Sequence, residues 1–219
     1  MCQFKIKLYR GTQYPQLQRK SVIGDSLGYD LTVRNGKFLS SKNTSVVEGL
    51  GPCLQFFVWS PHKIFNSHSA PEFDQVSDVK KRIVECALAL RDDVKNKTQE
   101  VIAFITGGMK YNPNLPITAK CCEFINEAYE ALQKAGISTV IIAGQKGDGL
   151  NNRINTYARD NSITCLGGPI KDIPKFKTGM DIDKCTEILE DYFDYVELSP
   201  DVEIEVIDEL AAKTAHLLK

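Results

Sequence analysis

Apolar and polar positions along this chain follow two periods, and together they lay out its elements in order. Residues 3–10, Gln-Phe-Lys-Ile-Lys-Leu-Tyr-Arg, alternate apolar with polar side chains, the period of a half-buried strand. Lying so far ahead of the other apolar segments, this strand is expected as an edge addition. Residues 11–29 are polar, carry Gly11, Pro15, Gly24 and Gly28, and read as loop. Residues 31–34 form a short strand pattern. Asn35-Gly36 is a hairpin signal, and residues 37–40 are the return. The apolar run from Cys53 to Trp59 ends at the turn signal Ser60-Pro61, and a second strand around Ile64-Phe65 is expected to come back antiparallel. Val76, Val79, Ile83, Cys86 or Ala87, and Leu90 recur at helical spacing over residues 74–93. Residues 100–106 are apolar enough for a central strand. Residues 118–135 carry a second helical stripe, Cys121, Phe124, Ile125, Ala128 and Leu132, with Gly136 as its stop. Residues 139–143 and 162–166 read as strands, and residues 155–161 as a short turn or helix. After the Gly- and Pro-bearing residues 167–179, a helical pattern covers 183–196. Ser199-Pro200 then fits the opening of a last helix, with Val206 or Ile207, Leu210, Ala211 and Leu217 on one stripe.

Composition narrows the picture only in part. The chain has 219 residues, 42% of them apolar and 25% charged, ordinary values for one globular domain with an extension. No apolar run approaches the roughly 20 residues of a membrane span. Residues 1–5 lack the hydrophobic segment of a signal peptide, so a cytoplasmic chain, or one delivered into a host cytosol, is expected. Seven cysteines, an odd number without a C-x-x-C pair, argue against a disulfide framework or zinc site and for reduced thiols. A net charge of −1 gives no general reason to expect nucleic acid as a partner. The charge is uneven, however: residues 171–219 hold 13 acids and 6 bases, leaving 15 acids and 21 bases in the rest. Two regions are therefore expected, a domain over 1–170 and an acidic helical extension over 171–219. The extension reads as a solvated helix pair, as a surface for a basic partner, or as a flap.

The chemistry concentrates between residues 47 and 71. Gly49-Leu50-Gly51-Pro52 is a tight-turn sequence with Cys53 directly behind it. The hairpin that follows returns His68 toward Cys53. A thiol attacks as thiolate, a free cysteine is mostly protonated at neutral pH, and an adjacent imidazole can take its proton. Gly51, Pro52 and Cys53 form the turn whose backbone N–H groups would face an oxyanion. His62 reads as a loop residue and His216 as part of the last helix, which leaves His68 as the base. Gly107-Gly108, at the end of the central strand, and Asn152-Arg153, after the glycine-rich residues 144–152, are candidates for the site rim. That loop lacks the spacing of a phosphate-binding motif.

These segments, in this order, resemble the CheD family of chemoreceptor glutamine deamidases. Gly49-Leu50-Gly51-Pro52-Cys53 is similar to the family's Gly-Leu-Gly-Ser-Cys turn, and Ser60-Pro61 to its Asp-Pro. The segment from His68 to Pro71 is similar to its His-x-x-x-Pro, Ile105-Thr106-Gly107-Gly108-Met109 to its Phe-Gly-Gly-Ala, and residues 147–153 to its Gly-Gly-Asn-Arg. The resemblance implies an α/β fold in layers, with a mixed or antiparallel sheet and flanking helices. It further implies conversion of protein-bound glutamine to glutamate by Cys53 and His68, with no metal or cofactor. The partner it implies is a protein bearing the target glutamine. Where the family places a histidine-orienting Thr, this chain has Val47. Thr44, Ser45 or Thr106 stand as substitutes, as does a backbone carbonyl. The cytotoxic necrotizing factor toxins, which this chain also resembles, use a Val carbonyl in that way. A bacterial effector acting on a host protein fits the departures from the compact family pattern. An inactive binding module and a small-molecule amidase or nucleoside-acting enzyme on the same scaffold are the alternatives.

Overall fold

The computed structural model describes residues 4–10, 36–42, 45–94, 101–147, 152–173, 177 and 180–208. Among them the chain builds a six-stranded and a five-stranded sheet. The six-stranded sheet runs in the order β10 (Phe193–Glu197), β7 (Ser138–Gln145), β6 (Ile102–Met109), β4 (Leu54–Trp59), β5 (Lys63–Ser69), β2 (Lys37–Ser40). The five-stranded sheet runs β11 (Val202–Asp208), β1 (Phe4–Arg10), β9 (Ser162–Gly167), β8 (Ile154–Arg159), β3 (Ser45–Leu50). Both are mixed: β6–β7, β1–β9 and β1–β11 are parallel pairs, and the remaining pairs are antiparallel.

The sheets face each other, and helices α1 (Val76–Asp93) and α2 (Pro116–Lys134) cover the outer face of the six-stranded one. The fold is therefore the layered α/β arrangement of mixed sheets and flanking helices. Strand alternation shows why the middle of the chain is so apolar. On β4, Leu54, Phe56 and Val58 point to the helices, while Phe57 and Trp59 point to the other sheet. On β6, Ala103 and Ile105 point outward, Ile102 and Phe104 inward. Central strands covered on both faces need hydrocarbon on both, and each such side chain contributes roughly 1.5–3 kcal/mol when fully buried. On α1 the buried stripe is Val79, Ile83, Ala87 and Leu90, so Ala87 rather than Cys86 is the inward residue. On α2 the expected stripe is buried in full, and Gly136 at φ +67° follows the helix end.

Three expectations need correction. β1 is not an edge strand: it lies between β11 and β9, parallel to both. Of residues 155–161, only 160–161 form a turn; residues 155–159 are most of β8, alternating buried Thr156 and Ala158 with more exposed neighbours. Among the described residues of the C-terminal region, the α-helix is confined to α3 (Ile182–Glu190); β10 and β11 then complete one edge of each sheet. The physical reason is cross-strand complementarity. Glu203 and Glu205 lie opposite Lys5 and Lys7, with salt bridges of 2.9 and 4.0 Å, and Val202, Ile204 and Val206 pack on the inter-sheet core. The acidic tail and the basic first strand answer each other's charge inside one sheet. The strand expected over 31–34, Asn35 of the hairpin signal, and the far part of the last helix, including Leu210, Leu217 and His216, lie outside the described residues.

Candidate active site

The β4–β5 hairpin forms as the sequence implies, and its register locates the candidate pair. Gln55 lies opposite His68 and Leu54 opposite Ser69. Side chains opposite one another share a face, so His68 stands on the inner face with Gln55. Cys53, two residues before Gln55, packs against the inter-sheet core and belongs to the same face. The register thus makes Cys53 and His68 diagonal neighbours. Such positions lie about 7–8 Å apart along the backbone and closer at Cβ, within range of long side chains. Both residues are half-buried at the open end of the hairpin.

The turn ahead of Cys53 is pinned on several sides. Gly49, at φ +78°, donates its N–H to Asn155 Oδ1 at 2.7 Å. Gly51 donates its N–H to the Gly49 carbonyl at 2.9 Å. The Cys121 thiol donates to the Pro52 carbonyl at 3.1 Å, and the Gly108 N–H to the Cys53 carbonyl at 2.9 Å. Of the three residues expected to face an oxyanion, Gly51 therefore has its N–H turned into the bend and Pro52 has none. The amide of Cys53 itself is the donor this turn can direct.

Gly107 and Gly108 form the wall beneath the turn, at φ +87° and +71°. A Cβ at Gly107 would stand 2.5 Å from the Cys53 carbonyl oxygen, and one at Gly108 2.9 Å from Leu54. Only glycine permits that approach and those angles together. Asn152 and Arg153 directly precede β8, whose first residue, Ile154, pairs with Leu50 of the turn segment. Lys171 Nζ donates to Asn152 Oδ1 at 3.1 Å, and the Gly168 N–H donates to the Arg153 carbonyl at 3.1 Å.

The candidate orienters of His68 have distinct settings. Ser45 Oγ accepts from Asn66 Nδ2 at 2.5 Å. Val47 is buried in the inter-sheet core opposite Thr156. Thr106 lies opposite Gln55 on the inner face and donates its hydroxyl proton to the Ile142 carbonyl at 2.8 Å. Thr44 lies outside the described residues.

Beside His68 runs a buried polar chain that the sequence reading passed over. Thr156 Oγ1 donates to Gln55 Oε1 at 2.7 Å, Gln55 Nε2 to Asn66 Oδ1 at 2.8 Å, and Asn66 on to Ser45. It joins β8, β4, β5 and β3, and so ties both sheets together next to the candidate base. Gln55, fully buried within a run of large apolar residues, was its one signal. Two further buried groups bracket this end: the Ser69 hydroxyl and the Gln145 side-chain amide have no hydrogen-bond partner among the described residues.

Burial pushes Cys121 and Cys86 up to about 11 and Cys165 up to about 12, so all three stay protonated at neutral pH. Among the described residues, no group of three or more His, Cys, Asp and Glu side chains is placed to hold a metal ion. No helix among them is long and apolar enough to cross a membrane. Compared with known proteins, the chain matches no protein-family model and no curated protein sequence.

Proposed function

We propose that this chain is a cysteine-dependent amidohydrolase that converts glutamine in a protein substrate to glutamate. The observation that carries the reading is the hairpin register, which sets Cys53 and His68 diagonally on one face beside a turn held from several sides. In this reaction His68 takes the Cys53 proton and the sulfur attacks the amide carbon. The resulting oxyanion accepts from the Cys53 N–H. His68 returns the proton to nitrogen, the C–N bond breaks and ammonia leaves. Water, deprotonated by His68, then attacks the thioester; the C–S bond breaks, and glutamate and the free thiol are released. An amine in place of water would give transamidation by the same route.

The choice of a protein-bound glutamine rests on the segment-by-segment resemblance to the CheD deamidases. Exposed aromatic side chains favour a macromolecular substrate as well. Phe73 is 64% and Tyr111 55% exposed, on the loops that leave β5 and β6 at this end of the sheet. Large exposed aromatics are enriched where proteins meet.

The test is intact-mass and peptide analysis of lysate proteins incubated with the wild type or with Cys53→Ala. A gain of about 1 Da at a glutamine, absent with the variant, is expected, since replacing –NH₂ by –OH changes the mass by that amount. Equal spectra for the two proteins across a whole lysate would refute the deamidase reading.

A further inference from the structure

Cys121 lies on a helix, outside the hairpin, and the mechanism above does not use it. It is fully buried on the inward stripe of α2, and its thiol reaches the Pro52 carbonyl at 3.1 Å. That carbonyl belongs to the same peptide unit as the N–H of Cys53. The peptide bonds of the described residues include no cis bond, so C=O and N–H point in opposite directions across this unit. The carbonyl is drawn toward α2, on the outer side of the six-stranded sheet. The N–H is therefore turned toward the inner side, where Cys53 packs and where His68 stands.

We infer that Cys121 is a positioning residue, whose thiol orients the Pro52–Cys53 peptide so that the Cys53 N–H meets the oxyanion formed at Cys53. This rests on the acyl-transfer reading above. On the far side of Cys53, the Gly108 N–H bond to its carbonyl at 2.9 Å fixes the next peptide unit. The backbone on both sides of the nucleophile is thus held from neighbouring elements, α2 and β6. Burial keeps Cys121 a neutral thiol at ordinary pH, so it remains a donor. Pre-oriented donors of this kind act mainly on the transition state, and losing one costs roughly 10²–10³ in kcat. A donor left in place but freed to rotate should cost less, about 10–100-fold.

The experiment compares wild type with Cys121→Ala, Cys121→Val and Cys121→Ser. Valine fills the thiol's space without donating, and serine donates. Three quantities are read: kcat and KM for deamidation, the rate of Cys53 alkylation by iodoacetamide, and protection of Cys53 from that alkylation by butanal. Butanal adds the thiol across its carbonyl: the S–C bond forms, and the former carbonyl oxygen takes the oxyanion position. Iodoacetamide displaces iodide and places no oxyanion there. Alanine and valine are expected to lower kcat and weaken butanal protection about 10–100-fold while KM and the alkylation rate hold; serine is expected to restore both losses. Unchanged kcat and butanal protection in the alanine and valine variants would overturn the inference, as would a parallel fall in alkylation rate. If the wild type deamidates nothing, the functional reading fails, and butanal protection still decides the orientation of the peptide.

Discussion

The two faces of the six-stranded sheet are built from the same strands, one residue out of phase, and they do different work. The outer face sets Leu54, Phe56, Val58, Phe65 and Ile105 against α1 and α2. Among the described residues its Ser67 hydroxyl donates to the Phe56 carbonyl within the same sheet, and the Ser69 hydroxyl has no hydrogen-bond partner. The inner face is apolar at one end, with Phe57, Trp59 and Ile64, and polar toward the other, with Gln55, Asn66, His68 and Thr106. There the side-chain hydrogen bonds cross from sheet to sheet. Hydrocarbon packing is non-directional and supplies stability. A satisfied buried polar chain fixes one relative placement of the layers, because any slip leaves groups unpaired. Stability and geometry are thus divided between the faces.

Substitutions can break that division. Cys53→Ala is expected to remove turnover by roughly 10⁴-fold or more in a kinetic assay while shifting the urea midpoint little. Phe56→Ala on the outer face should cost about 3–5 kcal/mol in denaturation, with kcat per folded molecule essentially unchanged. Gln55→Leu on the inner face should cost less stability, about 1–3 kcal/mol, because it strands the Asn66 and Thr156 groups. It should nevertheless reduce kcat more than Phe56→Ala does. The opposite order of these two in kcat would show that the faces are not specialised.

The mildest effect is on alkaline stability. Burial raises Cys165 on the inner core to about 12, and Cys86 on α1 to about 11, from an ordinary 9.0. Unfolded thiols ionise as pH passes 9 while the folded ones keep their protons, so stability is full below about pH 8 and falls as pH climbs toward the folded values. Urea midpoints measured at about pH 8 and pH 10 should show this fall, and Cys165→Val should flatten it.

Elements with strong, unopposed periodicity were legible to within a few residues at their ends: the central strand, both long helices and the hairpin from Cys53 to His68. Residues 202–208 were not, because Val202-Glu-Ile-Glu-Val-Ile-Asp fits a helical stripe as well as a strand's alternation. What tips it to a strand is β1, nearly two hundred residues away in sequence, whose lysines lie opposite its glutamates. The turn, the nucleophile and the base of the candidate site were visible as residue types. Asn66, Thr156 and Cys121 were not, since an isolated polar or thiol side chain carries no sign of its partner.

By itself the sequence laid out the central strands and helices and the apolar centre, and it displayed the two side chains on which the proposed chemistry depends; the layered α/β class was what the resemblance to the CheD deamidases implied. The elements and the apolar centre follow from local period and turn residues, which neighbouring residues alone set. The tertiary structure alone decided that the acidic tail completes two sheets, that Gln55 links them beside His68, and that a helix thiol grips the peptide before Cys53. Each of those is a pairing between distant segments, and a hydrogen bond or charge pair has no partner until the chain has folded.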